Sequence, residues 1–346
     1  MSKRVNISYL FSIILLLLTG CEQENSQTPS PNNGEEPVEI LLSANVMQVS
    51  ASIITRNDFV DETSFKDGTK QVGVFGLRTQ DGSFNNQPYV DNFAFTNTNG
   101  KLSGDGHIYF PPGYGKITAY LYGYYPYTDD TELYRQGNEV LIRVKGGLSG
   151  TTDAKWANAQ TDPLHATASH TIERIEGATN DRSQITLALP FYHKMAQLQI
   201  TVETQSGNEG KYQLQEIITT FSEHQHGYMN VRDGVIISAD TGKTEICTEI
   251  LPNGGEFIGV STIENPVAPQ SKHSVLPGTN AIKRIQIKVN GKEYEAFNAT
   301  TAGKGINLTA GYITAIKINF NPSTDVQATL DDTWNTKEEH TFDTTN

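Results

Sequence analysis

Apolar and polar residues alternate along most of this chain, and helical periodicity is scarce. Val46 to Thr55 reads VMQVSASIIT between Asn45 and Arg56-Asn57-Asp58, with the β-branched enrichment of a strand. Gln71 to Arg78 supplies a second strand, closed by the turn Asp81-Gly82. In Lys116 to Tyr125, Ile117, Ala119, Leu121, Gly123 and Tyr125 fall on one face and Tyr120, Tyr122 and Tyr124 on the other. Both faces are apolar enough to be covered, which predicts a central strand. Val140, Ile142 and Val144 alternate after it. Ile185, Leu187, Leu189 and Phe191 then occupy odd positions, whereas Ala196, Leu198, Ile200 and Val202 occupy even ones. The register therefore changes near His193, where a bulge, bend or strand boundary belongs. Asn290-Gly291 separates Ile285, Ile287 and Val289 from Tyr294 and Ala296, a strong short-range hairpin signal. Tyr312, Ile316, Ile318 and Phe320 share a face, and Val326, Ala328 and Leu330 alternate beyond Pro322. No amphipathic helix longer than three turns is expected. The predicted fold is all-β, two sandwiches over residues 38–180 and 181–346, joined near 177–184 where Gly177-Ala178-Thr179-Asn180-Asp181 is the strongest breaker cluster.

The first residues break this pattern. Ser2, Lys3 and Arg4 precede an apolar run from Ile7 to Leu18, too short for a comfortable membrane span, which ends in Leu18-Thr19-Gly20-Cys21. Small residues before a cysteine suit lipoprotein signal peptidase, and the thiol is the acceptor for diacylglycerol. This spacing resembles a bacterial lipobox. Residues 1–20 are thus expected to be a lipoprotein signal peptide and Cys21 a lipidated membrane anchor; the alternative is an ordinary secretory signal with a free cysteine. Residues 22–37 contain no aliphatic side chain before Pro37, so 21–37 reads as a flexible tether. Glu22 and Glu24 are either a sorting signal for surface display or part of a solvated spacer. With Cys21 carrying lipid, Cys247 has no partner for a disulfide and reads as a small buried hydrophobe beside Ile246 and Ile250.

Composition narrows the function classes. A chain of 346 residues exceeds what one core usually organises, and 36% hydrophobic with 19% charged residues excludes a multispanning helical membrane protein. The formal charge of -13 argues against nucleic acid as a partner. His224 and His226 would face one side of a strand and could ligate a metal, but no further His or Cys pair answers them, so a polar turn before Gly227 is the expectation and no metal site is assigned. Neither GxSxG nor a phosphate-binding loop occurs, and no arranged acid pair is legible. No catalytic residue, cofactor or enzyme activity is therefore expected. Tyr114, Tyr120, Tyr122, Tyr124, Tyr125 and Tyr127 could form a sugar-stacking platform, although alternation this regular places most of them in a core.

The order of several short segments then points to a family. They are the lipobox at Cys21, Thr55-Arg56, Gln71-Val72-Gly73-Val74-Phe75, the run Ala119 to Tyr127, Asp162-Pro163-Leu164-His165-Ala166, Leu189 to Leu198, Ala310-Gly311-Tyr312 and Trp334. In this order the chain resembles the fimbrillins, the FimA-like and Mfa-like lipoproteins that build type V pili of Bacteroidota. The resemblance implies tandem transthyretin-like sandwiches, export as a lipoprotein, and cleavage after an arginine that releases the first strand. A strand from a neighbouring subunit would then fill the groove. Carried onto this sequence, Arg56-Asn57 becomes the processing bond, and Val46, Val49, Ala51, Ile53 and Thr55 the displaced strand. Val326, Ala328 and Leu330 either belong to the second sandwich or form the donor strand. Implied partners are other fimbrial subunits, the outer membrane through Cys21, and a glycan or protein on a host or bacterial surface. The competing reading is a lipid-anchored glycan-binding protein, which needs exposed aromatic side chains such as Tyr127 or Trp156.

Overall fold

The computed structural model describes residues 37–47, 59–86, 88–104, 106–177, 183–321 and 327–330. They form an all-β protein; its α-helices, α1 (Glu62–Phe65) and α2 (Ala299–Ala302), are single turns. Strands are numbered in chain order. The first sheet holds β1 (Glu39–Val46), β2 (Asp67–Leu77), β3 (Val90–Thr98), β4 (Lys101–Ser103), β5 (Ile108–Tyr109), β6 (Gly115–Tyr125), β9 (Leu164–Arg174) and β10 (Gln184–His193). Their order is β10-β9-β6-β2-β3-β4-β1-β5, and β1 also pairs with β10, so the sheet closes on itself. A second sheet runs β14 (Ile236–Ser238), β13 (His226–Asn230), β8 (Glu139–Lys145), β7 (Tyr134–Gln136). The third runs β17 (Ser271–Val275), β11 (Ala196–Thr204), β21 (Ile313–Phe320), β22 (Gln327–Leu330). The fourth contains β15 (Glu245–Ile250), β12 (Gln213–Phe221), β18 (Gly278–Val289) and β19 (Lys292–Asn298). There β16 (Glu256–Phe257) joins β12 and β20 (Ile306–Leu308) joins β18.

Three hydrophobic clusters follow from these sheets. One lies inside the closed sheet and gathers Ile40, Leu42, Val72, Val74, Leu121 and Phe191. A second packs the outer side of β2 and β6, through Phe75, Leu77, Tyr122 and Tyr124, against Val140, Ile142 and Val144 of β8 and Met229 of β13. The third fills the space between the last two sheets with Leu198, Ile200, Ile217, Ile285, Ile316 and Phe320. β6 therefore has both faces covered, as its pattern predicts, with Ala119 and Leu121 in one cluster and Tyr122 and Tyr124 in another. Close packing across β2 requires glycine at position 73, where a Cβ would lie 2.1 Å from the ring of fully buried Tyr124. Asn290 and Gly291 have φ of 49° and 77°, the left-handed pair that a tight hairpin between β18 and β19 needs.

The sheets do not separate at residue 180. β10 begins at Gln184, beyond the breaker cluster, yet it pairs with β1 from Gln184 to Phe191 and with β9 at Tyr192 and His193. The change of sheet comes between His193 and Ala196, where the sequence register shifts: β10 ends in the closed sheet and β11 starts in the third. The breaker cluster belongs to a connection within one sheet. Nor do the halves stay apart, because the chain leaves β12, forms the β13–β14 hairpin on β8, and returns to β15. Each half also pairs its first and last long strands in parallel, β1 with β10 and β11 with β21.

Cys247 is 3% exposed within the third cluster. Burial, reinforced by the Glu245 charge, pushes its thiol up to about 12. A thiol reagent should therefore label Cys247 only as fast as the fold opens. Modification of the native chain within minutes, measured by intact mass, would contradict this packing.

Candidate assembly site around the first strand

The first described strand is β1, and Val46 ends it rather than opening it. The expected displaced strand thus shares only Val46 with the observed one; Val49, Ala51, Ile53 and Thr55 lie outside the described residues, as do Arg56, Asn57 and Cys21. Val38, Ile40, Leu42, Ala44 and Val46 point inward and are at most 5% exposed. This row has the period-2 alternation of a half-buried strand. It is readable in the sequence, but its Leu and Ala residues signal a strand less strongly than the β-branched run that follows.

Both edges of β1 are occupied. It runs parallel to β10 through eight registered pairs, from Glu39↔Gln184 to Val46↔Phe191. On the other side it meets β5 at Glu39 and Ile40 and β4 at Ser43. A carboxylate holds each end. Glu39 accepts from Gln184 Nε2 at 2.6 Å and lies 2.6 Å from His107 Nδ1, and the His107 contact holds its carboxyl below the usual range. At the other end, the Val46 amide donates to Glu62 Oε2 at 2.6 Å. Glu62 opens α1, whose N-cap Asp61 accepts from the Ser64 amide.

The chain then enters and leaves residues 48–58 beside one end of β10. The Met47 amide donates to the Phe191 carbonyl at 2.7 Å, and Phe59 packs edge-on against His193 with ring centroids 5.0 Å apart. Asp162 secures the return: its Oδ2 accepts from the Val60 amide at 2.6 Å, and its Oδ1 lies 2.7 Å from His193 Nδ1. Asp162 and His193 are 7% and 5% exposed. Two sequence segments noted separately, Asp162 to Ala166 and Leu189 to Leu198, are thereby brought into one cluster. The Lys194 amide donates to the Pro163 carbonyl at 3.0 Å, and His165 Nε2 lies 2.8 Å from the Val231 carbonyl.

Burial, aided by the Lys194 charge, lowers the His165 pKa to about 4 from its ordinary 6.5. The unfolded chain therefore takes up the proton first as pH falls. The contribution of His165 is complete above pH 6.5 and is lost progressively toward pH 4, a swing of about 3 kcal/mol. His165→Gln should flatten the fall in melting temperature across that window, and an unchanged slope would contradict it.

The expected donor residues divide. Val326 lies outside the described residues, while Ala328 and Leu330 belong to β22, which pairs antiparallel with β21 and is the outermost strand of its sheet. Trp156 does not offer the exposed face that a glycan platform needs. It is 1% exposed, with His226 4.6 Å and Tyr228 5.2 Å away between ring centroids. Of the tyrosines, Tyr122 and Tyr124 are core, Tyr120, Tyr125 and Tyr127 half-buried, and Tyr114 exposed. Away from β1, His224 and His226 acquire a third possible metal ligand, Asp240, that local sequence spacing does not reveal.

A profile of the Fimbrillin-like family matches residues 55–333. The chain belongs to the fimbrillin-like family. A candidate cell adhesion protein of Bacteroides ovatus is 16% identical, with 87% of this chain and 99% of that one covered and a TM-score of 0.52, so the two share a fold. A fimbrial protein of Bacteroides vulgatus matches at 10% identity and TM-score 0.48, over 84% and 98% of the two chains. The fimbrial anchor protein Mfa2 of Porphyromonas gingivalis matches at 11% and 0.43, over 86% and 98%. No curated protein matches by sequence.

Proposed function

We propose that the chain is a structural or adhesive fimbrial subunit, exported as an outer membrane lipoprotein through Cys21 and assembled by strand exchange after cleavage at Arg56-Asn57. One observation carries this reading. β1 completes a closed sheet, and Met47 and Phe59, on either side of residues 48–58, both contact β10, with Arg56-Asn57 between them in sequence. A cut there leaves β1 joined to the lipid-bearing tether and severs it from the rest of the body. Its departure uncovers the N–H and C=O groups of β10 on one side and of β4 and β5 on the other, which an incoming strand can satisfy. The displaced strand in this scheme is Glu39–Val46, upstream of the run Val46 to Thr55.

The donor is the C-terminal segment that begins at β22. Its outermost position lets it peel from β21 without parting two other strands. Successive transfer makes a head-to-tail, open-ended polymer of this subunit or of related ones. Two tandem transthyretin-like units fit the parallel pairing of first and last strands in each half. Burial of Trp156 and partial burial of Tyr127 disfavour the competing glycan-binding reading. Electron microscopy of cells with and without the gene tests the proposal: loss of filaments on deletion supports it, and filaments unchanged in amount and composition contradict it.

A further inference from the structure

His224, His226 and Asp240 meet where the β13–β14 hairpin leaves and rejoins the C-terminal half. The outgoing segment follows Phe221 and the returning one precedes Glu245. The two imidazole rings lie 5.2 Å apart between centroids, and His226 Nε2 is 3.4 Å from Asp240 Oδ2. One ligand atom from each residue falls within 4.8 Å of the others. We propose that these three side chains form a binding site for a divalent transition-metal ion of the zinc, copper or nickel class, which clasps the two crossing segments together.

The donor set selects that class. Two imidazoles and one carboxylate suit borderline metals, whereas calcium and magnesium prefer all-oxygen sites. Metal-ligand bonds of about 2.0–2.2 Å bring ligand atoms to roughly 3.4 Å from one another, so the site closes by about an ångström on binding. His224 and Asp240 have side chains 30% and 36% exposed and can make that movement.

His226 supplies an independent indication. The residue is 5% exposed, and its Nδ1 has no hydrogen-bond partner. Its Nε2 faces the Asp240 carboxylate at a distance longer than a good hydrogen bond. A buried imidazole so poorly satisfied gains from a metal on a ring nitrogen. Glu245, 3.8 Å from His224 Nδ1, adds negative charge, while its oxygens accept from the Gln225 and Gly150 amides. Lys243 opposes the ion: its Nζ lies 2.8 Å from Asp240 Oδ1. Binding must overcome that ammonium, which weakens the site relative to one without a competing cation.

The closeness of Trp156 to His226, with ring centroids 4.6 Å apart, makes occupancy visible, because paramagnetic copper or nickel at His226 quenches a tryptophan this near. Trp334→Phe leaves Trp156 as the single tryptophan. In a tag-free chain with that change, nickel should quench fluorescence saturably, with reversal by chelator and competition from zinc. His224→Ala and Asp240→Asn, each at a partly exposed position, should weaken binding at least tenfold. Lys243→Ala, at a side chain 67% exposed, should tighten it several-fold without touching the ligands. Quenching that does not saturate, or the same affinity in the His224→Ala, Asp240→Asn and Lys243→Ala chains as in their parent, overturns the proposal.

Discussion

A chain that begins at Phe59, and so lacks β1, should fail to maintain a folded N-terminal half by itself. Val38, Ile40, Leu42 and Val46 are nearly or fully buried. At about 1.5–3 kcal/mol for each such side chain, their burial contributes roughly 6–12 kcal/mol. That equals the whole stability of a typical domain, about 5–15 kcal/mol. Loss of the ladder to β10 also reopens the closed sheet. The truncated chain should bind a hydrophobic dye and lose near-ultraviolet dichroism, while the separate C-terminal cluster keeps some strand signal. A peptide spanning 37–47, added in trans, should restore the packing. Native stability in the truncated chain without peptide would show that β1 is dispensable, and strand exchange would then have no driving force.

The second large effect is expected from Asp162→Ala. One carboxylate holds both the partly buried Val60 amide and His193 Nδ1, with the carboxylate and the imidazole themselves buried. Alanine removes both contacts and leaves one buried and one partly buried polar group without that partner, each costing about 1–3 kcal/mol. A loss of roughly 2–6 kcal/mol follows, read as a fall in the urea midpoint with the slope unchanged. The damage is local to the point where the chain returns from residues 48–58. Limited trypsin digestion of Asp162→Ala should therefore cut faster after Arg56 than in the parent. Equal stability and equal cleavage would remove Asp162 from its role as the anchor of that return.

Sequence pattern carried much of this architecture and missed the parts that depend on long-range pairing. The register change at His193 marks the passage from the closed sheet to the third sheet, because an odd-to-even switch reverses which face is buried. Asn290-Gly291 located its hairpin through a backbone requirement that few other residue pairs meet. The double-faced pattern of Lys116 to Tyr125 placed β6 at the centre. In contrast, Gly177-Ala178-Thr179-Asn180-Asp181 is a strong breaker but not a seam, since a turn cluster reports only local backbone preference. Whether the next strand rejoins the same sheet depends on its distant partner, here β1. The excursion of β13 and β14 onto β8 is equally silent in local periodicity. Asp240 follows His226 by fourteen residues, and only the hairpin brings them together.

The central claim is that β1 is displaced after cleavage at Arg56-Asn57, so that the assembled subunit has lost both its lipid and its first strand. N-terminal sequencing of the subunit recovered from intact filaments measures this directly. A start at Asn57 is expected. A start at lipid-modified Cys21 in every assembled subunit would show that β1 stays in place, and would contradict the account.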